Sequence, residues 1–199
     1  MEARLRPWLW VLGAVWLSGA VTGLWVLWRY DNTPGEAAHA PKQWPALTRL
    51  TRSTEQPTLV MLAHPQCTCT RASLGELAEA LARTASKPKT YVVFVKPSSM
   101  PEGWEKSDLW ETASHLPNAT IVRDDDGREA EIFGAATSGQ TFVYDAAGAL
   151  QFSGGITASR AHAGDNEGRS SVVALLNHLQ SNRPSTNVYG CSLFAAAKS

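Results

Sequence analysis

Two cysteines stand one residue apart in the run His64-Pro65-Gln66-Cys67-Thr68-Cys69-Thr70-Arg71. An apolar, strand-like segment (58–63) leads into them and an amphipathic helical segment (74–81) follows. A strand that delivers thiols onto the first turn of a helix places them among unpaired amide N–H groups and partial positive charge, which favour thiolate over thiol. Two chemistries suit such a pair: thiol–disulfide exchange, or binding of a soft cation such as copper(I). For exchange, Cys67 stands nearer the helix start and is the predicted nucleophile, with Cys69 resolving. A disulfide between residues i and i+2 closes a small ring, and its strain favours an oxidant or isomerase over a reductant. The plain alternative is two small buried residues.

Other groups could join them. His64 lies three residues before Cys67, where it could lower the thiol pKa or ligate copper(I) beside the thiolates; it could equally be a polar surface group. Cys191, in Tyr189-Gly190-Cys191-Ser192, lies on a tail beyond the last helical segment. It could resolve a disulfide with Cys67 or Cys69, supply a third thiolate to a metal, or remain a free thiol. The stretch 153–168 is rich in glycine and carries Thr157, Ser159, Arg160, His162, Asp165 and Asn166. It reads either as a loop reaching the cysteines through Arg160 or His162, or as a cap for the last helix from Asp165 or Asn166. The triplet Asp124-Asp125-Asp126 lacks the spacing of a calcium loop and reads as a solvated turn. A thiol peroxidase would need a hydroxyl and an arginine around Cys67, for which Thr70 and Arg71 are a loose match.

The elements that position these groups follow from periodicity. Residues 90–95 are a β-branched and aromatic run, 107–116 a short helix with Ser107 as N-cap, and 119–122 a third strand. A short helix over 128–133 is closed by Gly134. Two further strands, 140–144 and 149–152, flank the turn Asp145-Ala146-Ala147-Gly148, and a last helix spans 169–180. Alternating strands and helices predict a parallel sheet core, to which the hairpin adds an antiparallel part.

The N-terminus is of another kind. Residues 7–28 carry no charge and include five of the eight tryptophans. As a helix of ~1.5 Å rise they span about 33 Å, enough for a bilayer core of about 30 Å. The run exceeds a signal-peptide core of about 7–15 residues. Its best small-residue cleavage site, Ala38-His39-Ala40, stands far downstream, so an uncleaved anchor is predicted. Arg4 and Arg6 before the span bias its N-terminus inward, which exports the rest to a compartment where disulfides persist. Three of the 18 basic residues and one of the 18 acidic residues precede Tyr30, leaving a net charge near −2 and no case for nucleic acid as a partner. The expected organisation is an anchor over 1–30, a Pro-containing tether over 31–55 with one helical turn near 44–50, a domain over 56–183 and a tail over 184–199.

Element order and cysteine position together resemble the thioredoxin-like superfamily, in its membrane-anchored TlpA/ResA-like form. The resemblance covers residues 56–182 and is carried by the strand–cysteine–helix junction, Asp126-Gly127 through Gly134, and Gln140 through Asp145 followed by Gly148. More narrowly, 67–77 and 154–168 are similar to the RedB-like group. The resemblance implies a three-layer α/β/α fold with a mixed central sheet, preceded by one transmembrane helix. It also implies a single-pass membrane protein whose C-terminal domain lies on the periplasmic or extracytoplasmic side. The implied activity is thiol–disulfide oxidoreduction on exported cysteine-containing proteins, without a cofactor. The chain departs from the family twice. One residue separates the cysteines where two are usual, and Gln140 stands where a cis-proline would face them. Gln140 is therefore expected to shape the site beside Cys67, Cys69 and His64. Loss of that proline also opens the alternative of a copper(I) chaperone for a respiratory oxidase, ligated by Cys67, Cys69, His64 and Cys191.

Overall fold

The computed structural model describes residues 5–181 and 183–194 and divides into two units at Thr33/Pro34. The first is a single helix, α1 (Leu5–Asp31). Its stretch Pro7–Asp31 has a mean hydropathy of 1.7 and none of it is buried, so it is long and apolar enough to cross a membrane. Arg4, on which the expected orientation partly rests, lies outside the described residues, as do the last five residues of the tail.

The second unit is built on one five-stranded sheet in the order β3-β2-β1-β4-β5. Its strands are β1 (Thr58–Ala63), β2 (Lys89–Lys96), β3 (Ala119–Asp125), β4 (Thr141–Tyr144) and β5 (Leu150–Gly154). β1 pairs in parallel with β2, and β2 with β3; β4 runs antiparallel to both β1 and β5. All six residues of β1 are buried, because both faces of the central strand are covered. Four helices follow α1 among the described residues: α2 (Thr68–Ala82), α3 (Asp108–Ser114), α4 (Arg128–Ile132) and α5 (Glu167–Leu176). On one face, Leu74 and Leu77 of α2, Leu109 of α3 and Val172 and Leu176 of α5 pack over Leu59, Met61, Phe94 and Phe152. This is the predicted thioredoxin-like arrangement of a mixed sheet flanked by helices.

The opposite face is covered differently from the expectation. Only the short α4 is helical there. Phe133, Phe142, Tyr144, Val60 and Leu62 are sealed by Ala38, Ala40, Trp44 and Leu50 from one side and by Leu193 and Phe194 from the other. Residues 34–55 are therefore no loose tether. Trp44 stands edge-on to Phe133 and Tyr144 at 5.5 and 5.2 Å, and Tyr144 donates its hydroxyl to the Pro41 carbonyl at 3.0 Å. Near Trp44 the segment has no helix, only a turn at residues 46–47, and it is pinned by the Trp44 N–H on Gly148 O at 2.7 Å.

The acidic triplet also differs from the expected solvated turn. β3 runs on through Asp125, and Asp124 is fully buried. Its carboxylate accepts the backbone N–H groups of Glu129 and Ala130 at 2.8 and 3.0 Å, which ties α4 to the sheet. Burial pushes the Asp124 carboxyl up, and these two donors hold it down. Asp124→Ala strands both buried donors and is expected to cost about 2–3 kcal/mol, measured by urea unfolding of the domain.

Candidate active site

β1 ends at Ala63, and the chain turns through Pro65 so that Cys67 begins the first turn of α2 with extended backbone (φ −100°, ψ 123°). Three thiols meet there. The Cys67 Sγ lies 2.8 Å from the Cys191 Sγ, across 124 residues of sequence, and accepts a hydrogen bond from the Cys69 thiol. The backbone N–H groups of Cys191 and Thr70 also point at the Cys67 sulfur. With the Cys69 thiol foremost among these donors, and burial opposing them, the Cys67 thiol is lowered to about 4. Its neighbours move the other way. Cys69 is raised well above the ordinary thiol range, first by donating to Cys67 and then by burial; Cys191 is raised to about 11 by burial and by Cys67. One sulfur therefore carries the negative charge, and two S–H groups serve it. All three cysteines are free thiols.

The predicted partners are placed unevenly. His64 is half-buried beside Cys67, with its ring edge-on to Trp104 at 5.4 Å and its Nδ1 accepting the Gln66 N–H at 3.2 Å. Desolvation lowers its pKa, against the pull of the Cys67 charge. A neutral imidazole supplies no positive charge, so the thiol and amide donors, not His64, account for the Cys67 thiolate. The Gln140 side chain is turned elsewhere. No peptide bond is cis among the described residues, and the Gln140 side chain donates to Ser153 Oγ at 3.1 Å. It lines a cavity between β5 and residues 183–189, to which no cysteine contributes.

Ser138, which the sequence did not single out, holds the position beside the cysteines instead. Its Oγ accepts the His64 N–H at 2.8 Å and lies 2.7 Å from Thr70 Oγ1, whose own proton goes to the His64 carbonyl at 3.0 Å. Counting protons, Ser138 must donate to Thr70, which closes a ring between the end of β1 and the start of α2. Gly139 follows at φ +88°, a conformation that favours glycine; a Cβ there would stand 2.7 Å from Ser73 Oγ.

The two readings of the glycine-rich stretch both describe part of it. Asn166 caps α5 by accepting the Arg169 N–H at 2.8 Å. Arg160 also reaches the site, donating to the Gly190 carbonyl at 2.7 Å, and the Ala161 N–H faces the Cys69 sulfur. His162 is exposed. The loop is fastened to α2 by Glu76, also missed by sequence reasoning. Its buried carboxylate takes Arg169 Nη1 at 2.6 Å, Gly164 N at 2.7 Å and Asn166 Nδ2 at 3.2 Å. Gly154 and Gly155 admit the C-terminal segment: Cβ atoms there would lie 2.3 Å from Thr186 Oγ1 and 2.6 Å from Asn187 O.

For a metal, the site offers sulfur linked through Cys67 rather than a cage. Among the described residues no group of three or more His, Cys, Asp or Glu side chains is arranged to hold an ion. The Nδ1 of His64 is already occupied by Gln66.

Neither protein-family models nor curated proteins give a match to the chain. Solved structures do. A hypothetical protein from Sinorhizobium meliloti shares 20% identity over 83% of this chain and 96% of its own, with a TM-score of 0.57. An uncharacterised conserved protein from Geobacillus kaustophilus shares 18% identity over 83% and 94%, with a TM-score of 0.59. The exposed lipoprotein thioredoxin of Streptococcus pneumoniae shares 16% identity over 63% and 87%, with a TM-score of 0.46. At such identities the likeness is one of fold. Sheet order, and the parallel crossover from β1 through α2 to β2, make the fold of this domain thioredoxin-like, with cysteines at the start of α2.

Proposed function

We propose that the chain is a membrane-tethered thiol–disulfide oxidoreductase acting on cysteine-containing proteins outside the cytoplasm, with Cys67 as its reacting sulfur. The observation that carries this reading is the Cys67 sulfur itself, buried at the start of α2 and surrounded by two thiols and two backbone amides. A thiolate so stabilised is a good leaving group. A disulfide that contains it gives up Cys67 readily, so the oxidised form drives disulfides into clients. The thiol that pairs with Cys67 is one of the two that flank it. α1, with its length and hydropathy, supports the tether, and export suits a catalyst that must stay partly oxidised.

The test is catalytic. Full-length protein in detergent, supplied with oxidised glutathione, is expected to speed the recovery of disulfides in a reduced, unfolded secreted protein. Cys67→Ser is expected to lose that acceleration by at least about a hundredfold, since nucleophile and leaving group vanish together. Equal rates for the two proteins would refute the reading. If Cys67-dependent retention of copper(I) were found without exchange, the chaperone alternative would replace it.

A further inference from the structure

The C-terminal segment is built into the domain beside the cysteines, held by isolated β-bridges and backbone hydrogen bonds. Ser138 N donates to the Cys191 carbonyl and Leu193 N to the Ala136 carbonyl, each at 2.8 Å, and Thr137 opposes Ser192 in antiparallel register. Upstream, Ser153 N donates to Pro184 O at 3.0 Å and Gly35 N to Val188 O at 2.8 Å; downstream, Leu193 is buried in the core. Gly190 permits the closest approach. A Cβ there would stand 2.0 Å from the Ser138 carbonyl oxygen, a collision with rigid backbone. The result is an unequal pair of sulfurs in contact. Cys67 is 1% exposed, whereas Cys191 is exposed on the other side of it.

We infer that the working disulfide is Cys67–Cys191 and that Cys191 is the sulfur its clients attack. The inference rests on the oxidoreductase reading above and assigns the partner and the direction of attack within it. A client thiolate reaches Cys191, the one exposed residue of the three cysteines, and bonds to its sulfur. The Cys67–Cys191 bond breaks, and its electron pair stays on Cys67 as thiolate. A second client thiolate then attacks the client sulfur of the mixed disulfide, forming the client disulfide and releasing Cys191, which takes up a proton. The client loses two electrons, the Cys67–Cys191 pair gains them, and one of the two client protons goes to solvent. Recharging runs through a disulfide-bearing oxidant. Cys191 attacks it, passing its proton to the thiolate expelled; the Cys67 thiolate then attacks the Cys191 sulfur and expels the second thiolate. Attack at the accessible sulfur with the more stable thiolate leaving is the favoured course of exchange. Cys69 stays a thiol throughout and donates to Cys67.

Disulfide mapping tests this. Reduced full-length protein in detergent is treated with oxidised glutathione, blocked in acid, digested without reductant and read by mass spectrometry. The expected product joins the Cys67 and Cys191 peptides, in the parent protein and in Cys69→Ser. Cys191→Ser is expected to leave the buried Cys67 mostly unoxidised by glutathione and to slow oxidation of a dithiol peptide more than about tenfold. Gly190→Ala keeps all three cysteines and moves the segment, and is expected to reduce the Cys67–Cys191 product sharply while the near-ultraviolet circular dichroism of the domain persists. A Cys67–Cys69 disulfide as the main product of the parent protein would overturn this inference and leave the oxidoreductase reading intact. Absence of Cys67 from every disulfide would overturn both.

Discussion

Titration of the reduced protein, followed by thiolate absorbance, is expected to show one thiol ionising with a midpoint of about 4. The cause is local: the Cys69 and Cys191 thiols and two backbone amides donate to one sulfur, and together they outweigh its burial. This ionisation couples to stability. The unfolded chain keeps the Cys67 proton up to the ordinary thiol range near 9, whereas the folded chain releases it near 4. Between those limits the unfolded state binds one more proton, so stability rises with pH by up to about 1.4 kcal/mol per unit. It is fully present above the unfolded value and is lost as pH falls through the folded one. Above about 9 the trend reverses, because Cys69 and Cys191 keep protons in the fold that the unfolded chain has given up. Urea unfolding of the reduced protein across this range should show the rise, and Cys67→Ser should flatten it. A midpoint in the ordinary thiol range, with no difference between the two proteins, would contradict the site's electrostatics.

Arg169→Met is expected to cost the domain about 3–5 kcal/mol, because it leaves the Glu76 carboxylate buried without its counter-charge. Glu76 and Arg169 are 3% and 6% exposed, and no solvent is at hand to replace the lost partner. The pair joins α2 to α5 and also holds Gly164 and Asn166, so the damage extends to the loop that carries Arg160 and Ala161. Chemical unfolding measures the first effect. The second appears as faster alkylation of Cys67, as the loop and the segment it braces loosen. The double replacement Glu76→Gln with Arg169→Met should cost less than the sum of the single changes, since it removes the stranded charge. A change below about 1 kcal/mol for Arg169→Met would mean that the remaining donors to Glu76 suffice.

Much of the sheet was legible because its strands are short β-branched runs broken by Gly, Pro and Asp, and because α2 and α5 carry apolar faces at helical spacing. Cys67 and Cys69 were legible from their place between strand and helix. What covers the second face was not. Ala38, Ala40, Trp44 and Leu50 lie at irregular spacing in a Pro-containing segment, and extended chain that packs without periodicity leaves no pattern to read. The same holds for Leu193 and Phe194. Asp124 was hidden for a different reason: three aspartates before a glycine look solvated, and only the fold turns the first of them inward to α4. Glu76 and Arg169 are 93 residues apart, beyond any local signal. Gln140 was expected at the cysteines by analogy with a proline; with no cis bond there, its side chain goes to Ser153 and Ser138 takes the contact.

The central claim is that Cys67 is the sulfur of a reversible, oxidising disulfide. It is tested most directly by equilibrating the full-length protein in detergent with glutathione buffers of graded potential, then counting blocked thiols by mass. The account predicts one two-electron transition that disappears in Cys67→Ser, at a potential above about −200 mV, as a strongly stabilised thiolate demands. A protein that keeps all three thiols across the whole range, or a transition that survives Cys67→Ser unchanged, would contradict it.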